Sequence, residues 1–358
     1  MRHLLFLYLS MAMTASAAPL FENNEVIELG LEYDIARLQA EKEDLRENGL
    51  AGIITLHENR VEIPVQVLTR GAGSFDCDQP QLKIKFSKDF TKKTVFEKLK
   101  KVKLFTKGTC LENKTDDEQD KQILANYLIY KLYEQMTDFS FKTRLLKINY
   151  KDRSGEYEDY TQYGFFLEPR RNIEKRLDIE NIDVIELQNT LKEKVPQNID
   201  LSLVSLVNAF EFIIANYDYG ISGFFSHIIN DGGYPDIYYG EKNSKIYQAE
   251  NGQYIPLIYD FDISRFGYFA EMCTFGYAFF TNDIGMEMDC SVEKLKAHFE
   301  KDLSKFKYKD DVLKKLPTLL KGLKNWREEN RKLIKKLGAA YNSGLDNFIR
   351  ILELKSIE

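Results

Sequence analysis

Three aspartates stand where apolar stretches of the sequence end, which is where loops place functional side chains. Asp218 follows the apolar residues 201–215, and Asp260 and Asp262 close the apolar residues 256–259. Carboxylates beside buried segments are costly unless a cation or hydrogen bonds satisfy them, and Mg²⁺ prefers such oxygen ligands. An acid after a buried helix, followed by acids after a later strand, is typical of phosphoryl-transfer enzymes. The alternative is that Asp260 and Asp262 are turn and cap residues.

The region between residues 82 and 107 is rich in lysine. In residues 82–86, period-two alternation places Lys83 and Lys85 together on one face, towards solvent or a cleft. Residues 92–107 contain seven lysines and one acid, Glu97. This run is interpreted either as a docking face for phosphate or acidic substrates, or as a solvated sheet edge whose lysines prevent strand pairing.

The elements that must position these side chains are mostly strands up to about residue 170. The pattern predicts a helix over residues 29–48, one amphipathic helix over residues 120–136, and strands at residues 61–67, 82–86, 102–106, 143–150 and 160–168. Pro64 predicts that the first of these strands lies at an edge of the sheet. We therefore expect a small antiparallel sheet with a single packed helix in residues 19–170.

Residues 171–358 have a different, mainly helical pattern. Residues 201–215 are apolar on nearly all sides, which predicts a helix buried within a domain. Short strands are predicted near residues 237–248 and 254–259, and a helical period resumes at Val292. No linker rich in Pro, Gly or Ser separates the two parts. The sequence therefore predicts an α+β chain whose sheet-rich and helical parts pack directly.

The N-terminal residues 1–18 have the order of a signal peptide. Arg2 precedes an apolar run over residues 4–13, and small residues follow at positions 15–18. The alternative is an apolar first helix. We expect cleavage after Ala17 or Ala18 and an exported protein, periplasmic or extracellular. The apolar run is too short to span a bilayer, and no later stretch is long and uncharged enough, so no transmembrane segment is expected in the mature chain.

Four cysteines remain after that segment, at positions 77, 110, 273 and 290. In an oxidising compartment they allow two disulfides with three connectivities, of which local pairing of Cys77 with Cys110 and of Cys273 with Cys290 is favoured. Their spacing does not favour a zinc site. The two disulfides are therefore expected if the protein is exported to an oxidising compartment.

The composition indicates a folded protein that does not bind nucleic acid. Hydrophobic residues make up 44% and aromatic residues 13% of the 358 residues, which is enough apolar surface to form a core. The net charge is −6. A duplex-binding protein usually needs a broad cationic surface, so any basic patch must be local.

A series of short motifs in chain order resembles the CotH-like atypical kinases, especially their exported bacterial relatives. The motifs are Arg70-Gly71, Cys77-Asp78, residues 82–86, Val102-Lys103-Leu104, residues 124–133, residues 163–168, Asn216-Tyr217-Asp218 and residues 259–262. The resemblance implies a protein-kinase-like two-lobed fold, with an antiparallel-sheet N-lobe, one packed helix and a mainly helical C-lobe. It also implies that ATP or another nucleotide, with Mg²⁺ or Mn²⁺, donates phosphate to a protein hydroxyl in the envelope or outside the cell.

The same resemblance assigns roles to individual residues. Asp218 resembles the catalytic acid that orients or deprotonates the acceptor hydroxyl. Asp260 resembles the metal-binding acid, with Asp262 as a supporting ligand. Lys83 or Lys85 would bind the nucleotide phosphates, and Lys103 is a less favoured candidate for the same role.

Three further positions bear on the implied site, and two of them depart from the family pattern. Arg70, with Gly71, would form the turn over the phosphates. His227 or Ser226 stands near the position where relatives usually hold a second metal with Asn, which makes His227 a candidate metal ligand. Asn126 stands where close relatives tend to have Glu. These departures support the alternative of a degenerate pseudokinase, which would act as a binding or structural protein of the envelope.

Overall fold

The structure is a computed structural model that describes residues 18–71, 80–106, 116–181, 198–214, 216, 220–221, 224–225, 243–261, 292–305 and 308–356. Residues 1–17 of the predicted signal peptide and all four cysteines lie outside the described residues. So do three predicted site residues, Asp218, His227 and Asp262.

Seven strands close into a barrel in the order β1-β2-β3-β4-β5-β7-β6. The strands are β1 (Ile27–Tyr33), β2 (Leu50–Leu56), β3 (Glu62–Arg70), β4 (Gln81–Phe86), β5 (Lys101–Phe105), β6 (Thr143–Asp152) and β7 (Tyr160–Leu167). Neighbouring strands are antiparallel except β1 and β6, which run parallel with Leu29 opposite Ile148. The barrel is therefore mixed and has no free edge.

The predicted two-lobed, kinase-like fold with an antiparallel N-terminal sheet is wrong. The sequence pattern predicts a helix over residues 29–48, but the first part of that range is β1. Its helix-forming Glu28 and Glu32 alternate with Leu29, Leu31 and Tyr33, whose side chains fill the barrel. Because β1 pairs with both β2 and β6, it converts an open sheet into a closed barrel.

The prediction that Pro64 marks an edge strand is also wrong. Pro64 lies in β3 opposite Ile53 of β2, and β3 pairs with β4 on its other side. The next residue, Val65, pairs with Phe86. Pro64 is exposed on the outside of the barrel, where its missing N–H is tolerated near the start of the strand.

The barrel interior follows the alternation expected from the sequence. Leu82, Ile84 and Phe86 of β4 are buried in it, as period two predicts. Val102 and Leu104 of β5 join them. Because side chains alternate along a strand, the intervening residues Lys83, Lys85, Lys101 and Lys103 lie on the outer face of the barrel.

The long helix α3 (Asp116–Glu134) packs against the outside of the barrel and confirms the helix predicted over residues 120–136. Phe105 of β5 and Phe165 of β7 stack on that outer face with ring centroids 4.6 Å apart. Tyr130 of α3 contacts both rings. These aromatic contacts join α3 to β5 and β7.

The remaining elements build the rest of the described chain. They are α1 (Ile35–Ala40), α2 (Lys88–Thr91), α4 (Arg170–Leu177), β8 (Ile179–Asn181), α5 (Leu201–Ile213), β9 (Gly220–Ile221), β10 (Phe224–Phe225), β11 (Ser244–Ala249), β12 (Tyr254–Ile258), α6 (Val292–Lys305), α7 (Lys309–Glu329), α8 (Arg331–Lys336) and α9 (Ala339–Lys355). Strands β12, β11 and β8 form one small sheet, and β9 pairs with β10.

Helix α5 is buried, as its apolar sequence predicts. It begins after Asp200, whose carboxylate accepts a hydrogen bond from the backbone N–H of Leu203 at 2.9 Å. Its side chains belong to a second hydrophobic core that also contains the inward faces of α3, α7 and α9. In the described part of the chain, no helix combines the length and apolar character needed to cross a membrane.

Candidate anion-binding site

A cavity of about 160 Å³ opens on the outer face of the barrel, between β4 and β5, the end of β7 and the end of β12. One wall is cationic and the remainder is mostly apolar. Its lining residues are Lys83, Lys101, Val102, Lys103, Phe141, Leu167, Glu168, Pro169, Arg170 and Tyr259. The cavity thus combines positive charge with apolar surface.

Strand register brings three of the cations together. Lys83 of β4 lies directly opposite Lys103 of β5, and Lys101 lies two residues along on the same face. Directly opposite side chains on neighbouring strands have Cβ atoms about 5 Å apart, and like charges there oppose each other. The barrel register therefore concentrates positive charge at this position.

Arg170 supplies the fourth cation from the start of α4. The turn before it is fixed by the buried carboxylate of Glu168, which accepts a hydrogen bond from the backbone N–H of Lys142 at 3.1 Å. The guanidinium of Arg176 donates to the same carboxylate at 2.9 Å. These bonds hold the carboxylate of Glu168, which also lines the cavity, in a fixed position.

Crowding and burial change the acid–base behaviour of the two central lysines. Burial, together with the neighbouring charges of Arg70 and Arg170, lowers the pKa of Lys103 to about 8. Burial, followed by the charges of Lys101 and Arg70, also lowers the pKa of Lys83. Among the residues that the structure describes, none of the four cations lining the cavity forms an ion pair. Such a cluster favours a bound anion.

Asp260 lies next to this cluster, in a turn that immediately follows β12. Its backbone has a left-handed conformation with φ of 70°, and its N–H donates a hydrogen bond to the hydroxyl of Tyr130 at 3.0 Å. The next residue, Phe261, is buried against the rings of Tyr130, Tyr133 and Phe210. Phe261 thus anchors the turn in the second core while Asp260 remains partly exposed.

The carboxylate of Asp260 is close enough to Lys103 to oppose the lowering of that lysine's pKa. The preceding residue, Tyr259, contributes its ring to the cavity, and the Nζ atom of Lys103 lies 5.7 Å from the ring centroid. The end of β12 therefore supplies an aromatic wall and one negative charge beside the cationic wall of the pocket.

The structure brings together three of the predicted site residues, Lys83, Lys103 and Asp260. Arg70 lies beside them at the end of β3. Its guanidinium stacks 4.3 Å from the centroid of the Phe105 ring, and its Nε atom donates to the carbonyl of Leu82 at 2.9 Å. Arg70 therefore contributes charge near the cavity while being held by the barrel.

Lys85 lies apart from the cavity. It is exposed and lines a separate groove with Pro64, Gln66 and Ser87. Of the two lysines that alternation leaves equivalent, Lys83 is the one at the pocket. The other predicted site residues, Asp218, His227 and Asp262, lie outside the described residues.

Sequence reasoning did not single out Lys101 or Arg170. Lys101 belongs to the lysine-rich residues 92–107, so the interpretation of that run as a phosphate-docking face was the available signal. Arg170 had no signal of its own, because its position depends on how α4 begins after β7.

The residues fit the phosphate part of a nucleotide better than a whole nucleotide. Pockets for ligands of that size typically measure about 300–1,000 Å³, well above this cavity. For a metal ion, Asp260 is the one predicted ligand within the described residues, and these residues hold no group of three or more acidic, histidine or cysteine side chains suited to a metal. A catalytic base and further metal ligands would have to come from residues other than those that line the cavity.

No protein-family model matches this chain. A search of the curated proteins also finds no match. The resemblance to CotH-like kinases therefore stays a prediction from the motifs.

Proposed function

We propose that this chain is a phosphotransferase, which moves a phosphoryl group from a metal-bound nucleotide to a hydroxyl group of a protein. The observation that supports this proposal best is the cluster of Lys83, Lys101, Lys103 and Arg170 with Asp260 beside it. Phosphoryl transfer depends mainly on positioning and on stabilising negative charge. A cationic pocket with an adjacent carboxylate suits both tasks. The proposal rests on this site and the motifs, and does not depend on a kinase-like fold.

In the proposed reaction, the lysines and Arg170 bind the phosphate oxygens and neutralise the charge that grows on them. Asp260 would hold a divalent cation, which supplies further neutralisation when bound. The acceptor oxygen forms a bond to the terminal phosphorus as the bond to the bridging oxygen breaks. Asp218 would accept the proton released by the hydroxyl, the role that the motif resemblance implies for it.

Binding without turnover is the second candidate function. It is favoured by the balance of charge, because the described walls supply four cations, whereas Asp260 is the one predicted metal ligand among the described residues. In addition, Asn126 is buried in α3, where an acid would be needed for a lysine–glutamate pair. Under this hypothesis the protein binds an anionic partner in the envelope, a location that rests on the predicted signal peptide.

One set of assays distinguishes the two candidate functions. Transfer of radiolabelled phosphate from ATP with Mg²⁺ or Mn²⁺ is measured for the parent, Asp260→Asn and Lys103→Met. Asn also adopts the left-handed conformation readily, so Asp260→Asn removes the charge while keeping the turn. We expect a loss of at least about 100-fold in transfer for Asp260→Asn if it holds the metal. Lys85→Met is the matched control and should transfer like the parent.

Binding is measured in parallel by nucleotide-dependent thermal unfolding. A ligand at a hundredfold excess over its dissociation constant should add about 2.7 kcal/mol of stability. Stabilisation without any label transfer would favour binding over catalysis. Equal transfer by the parent and both site variants would remove the proposed role of this pocket, and absence of both effects would remove the two hypotheses together.

A further inference from the structure

We propose that Lys103 is a covalent modification site, at which the side-chain amine forms an imine with small aldehydes that carry a phosphate or carboxylate group. This inference goes beyond phosphotransfer and does not depend on it. It rests on the cavity itself, because the amine and the neighbouring cations share one small, partly apolar space.

The geometry provides separate positions for the two ends of such a molecule. Lys101, Lys83 and Arg170 line the cavity around Lys103, so an anionic group bound by them holds the rest of the molecule beside the Lys103 amine. Holding two reactants together in this way raises the effective concentration of one at the other by orders of magnitude. A volume of about 160 Å³ admits a molecule of a few carbon atoms with one phosphate.

Charged groups surround Lys103 on several neighbouring elements, and they include Lys101 on its own strand and Glu168 at the end of β7, which also line the cavity. Arg70 of β3, Lys83 of β4 and Arg170 of α4 disfavour its protonated form, whereas Asp260 after β12 favours it. With burial added, the pKa of about 8 leaves a substantial neutral fraction near pH 8. An ordinary lysine, with a pKa near 10.4, is neutral in well under about one part in a hundred there. Only the neutral amine attacks a carbonyl group.

The chemistry needs no reagent besides the aldehyde. The lone pair of Nζ forms a bond to the carbonyl carbon, and the carbonyl π electrons move to oxygen. The two amine protons and that oxygen then leave as water, and a C=N bond remains. A lysine desolvated beside other cations is the usual setting for this reaction.

The probe is glycolaldehyde phosphate, with glycolaldehyde as the matched compound that lacks the anion. Full-length protein is treated at pH 8 with each compound, reduced with borohydride and mapped by mass spectrometry. We expect Lys103 to react with glycolaldehyde phosphate at least about tenfold faster than the exposed Lys85. The preference for Lys103 should shrink with glycolaldehyde, and pyrophosphate should protect Lys103.

Two further measurements keep the test independent of folding and of phosphotransfer. Arg170→Met should lower the rate with glycolaldehyde phosphate about tenfold and the rate with glycolaldehyde much less, because glycolaldehyde has no anion to bind and loses only the pKa-lowering effect of Arg170 on Lys103. Circular dichroism checks that the variant is folded. Between pH 7 and 9 the rate at Lys103 should rise and then level off. Equal rates at Lys103 and Lys85, or equal rates with the two aldehydes at Lys103, would overturn the proposal, whatever the phosphotransfer assay gives.

Discussion

At the scale of single residues, Lys103 is placed where its charge is unfavourable. It lies on the outer face of β5, opposite Lys83 and near Arg70 and Arg170. Such an arrangement lowers the stability of the folded protein, and it is maintained at sites where function requires it. The stability of the protein should therefore depend on the protonation of this lysine.

The first prediction concerns Lys103→Met, which removes the charge and keeps the length of the side chain. An unfolded lysine has a pKa of about 10.5, and folding lowers it to about 8. The unfolded chain therefore binds more protons between these values, and the contribution of Lys103 to stability rises with pH across this range. At pH 7 the variant should be more stable than the parent, by up to about 3 kcal/mol.

The measurement is urea unfolding at pH 7 and at pH 10.5, where the difference between Lys103→Met and the parent should shrink towards zero. Lys85→Met, on the neighbouring strand, is the control and should change stability by less than about 0.5 kcal/mol at both values. A stability difference for Lys103→Met that is the same at both pH values would contradict the assigned burial and crowding.

At the scale of elements, β7 decides how tightly the barrel closes beside the cavity. It lies between β5 and β6 in the barrel order. Gly164 of β7 allows this approach, because a Cβ atom there would lie 2.9 Å from the carbonyl oxygen of Phe105 and 2.9 Å from Cδ1 of Ile148. A strand with a larger residue at this position would push β5, and with it Lys101 and Lys103, outwards.

The second prediction is that Gly164→Ala destabilises the barrel by about 1–3 kcal/mol, since the backbone of β5 at Phe105 cannot move without disturbing its strand pairs and the side chain of Ile148 must also shift. Gly30→Ala is the matched control, because a Cβ atom on this strand glycine meets its nearest neighbour, Cβ of Thr55, at 3.7 Å. It should be neutral or slightly stabilising. Urea unfolding measures both variants, and similar losses for the two would contradict the close packing at Gly164.

At the scale of the whole molecule, α3 connects the barrel to the second hydrophobic core. One face of α3 packs against β6 and β7, and α7 packs against it from the other side. Trp326, the single tryptophan of the chain, lies fully buried in α7. Its Nε1 atom donates a hydrogen bond to the carbonyl of Leu128 in α3 at 2.8 Å. The turn that carries Asp260 is anchored in the same core through Phe261.

The third prediction is that Trp326→Phe lowers the free energy of unfolding by about 1–3 kcal/mol, from lost volume and the lost hydrogen bond to Leu128. Circular dichroism during urea unfolding provides the measurement. Leu313→Ala on the same helix is the control, because Leu313 is 46% exposed and should cost less than about 1 kcal/mol. Equal effects of the two substitutions would mean that Trp326 does not join α7 to α3.

Local hydropathy was enough to predict the elements that have a clear period. The alternation of Leu82, Ile84 and Phe86 gave β4 and its inward face, and the helical period of residues 120–136 gave α3. The position of Asp260 directly after an apolar strand could also be predicted from the sequence. These features depend on local spacing, which a single sequence records directly.

The closure of the sheet and the grouping of the cations could not be predicted from local sequence and depend on long-range contacts. Closure depends on β1 pairing in parallel with β6, more than a hundred residues away, and the helix-forming glutamates of β1 concealed its period of two. Lys83 and Lys85 are equivalent by alternation, and the pairing of β4 with β5 and the start of α4 select Lys83, Lys101, Lys103 and Arg170. Strand register and long-range packing have no local signal, because they depend on residues far apart in the chain.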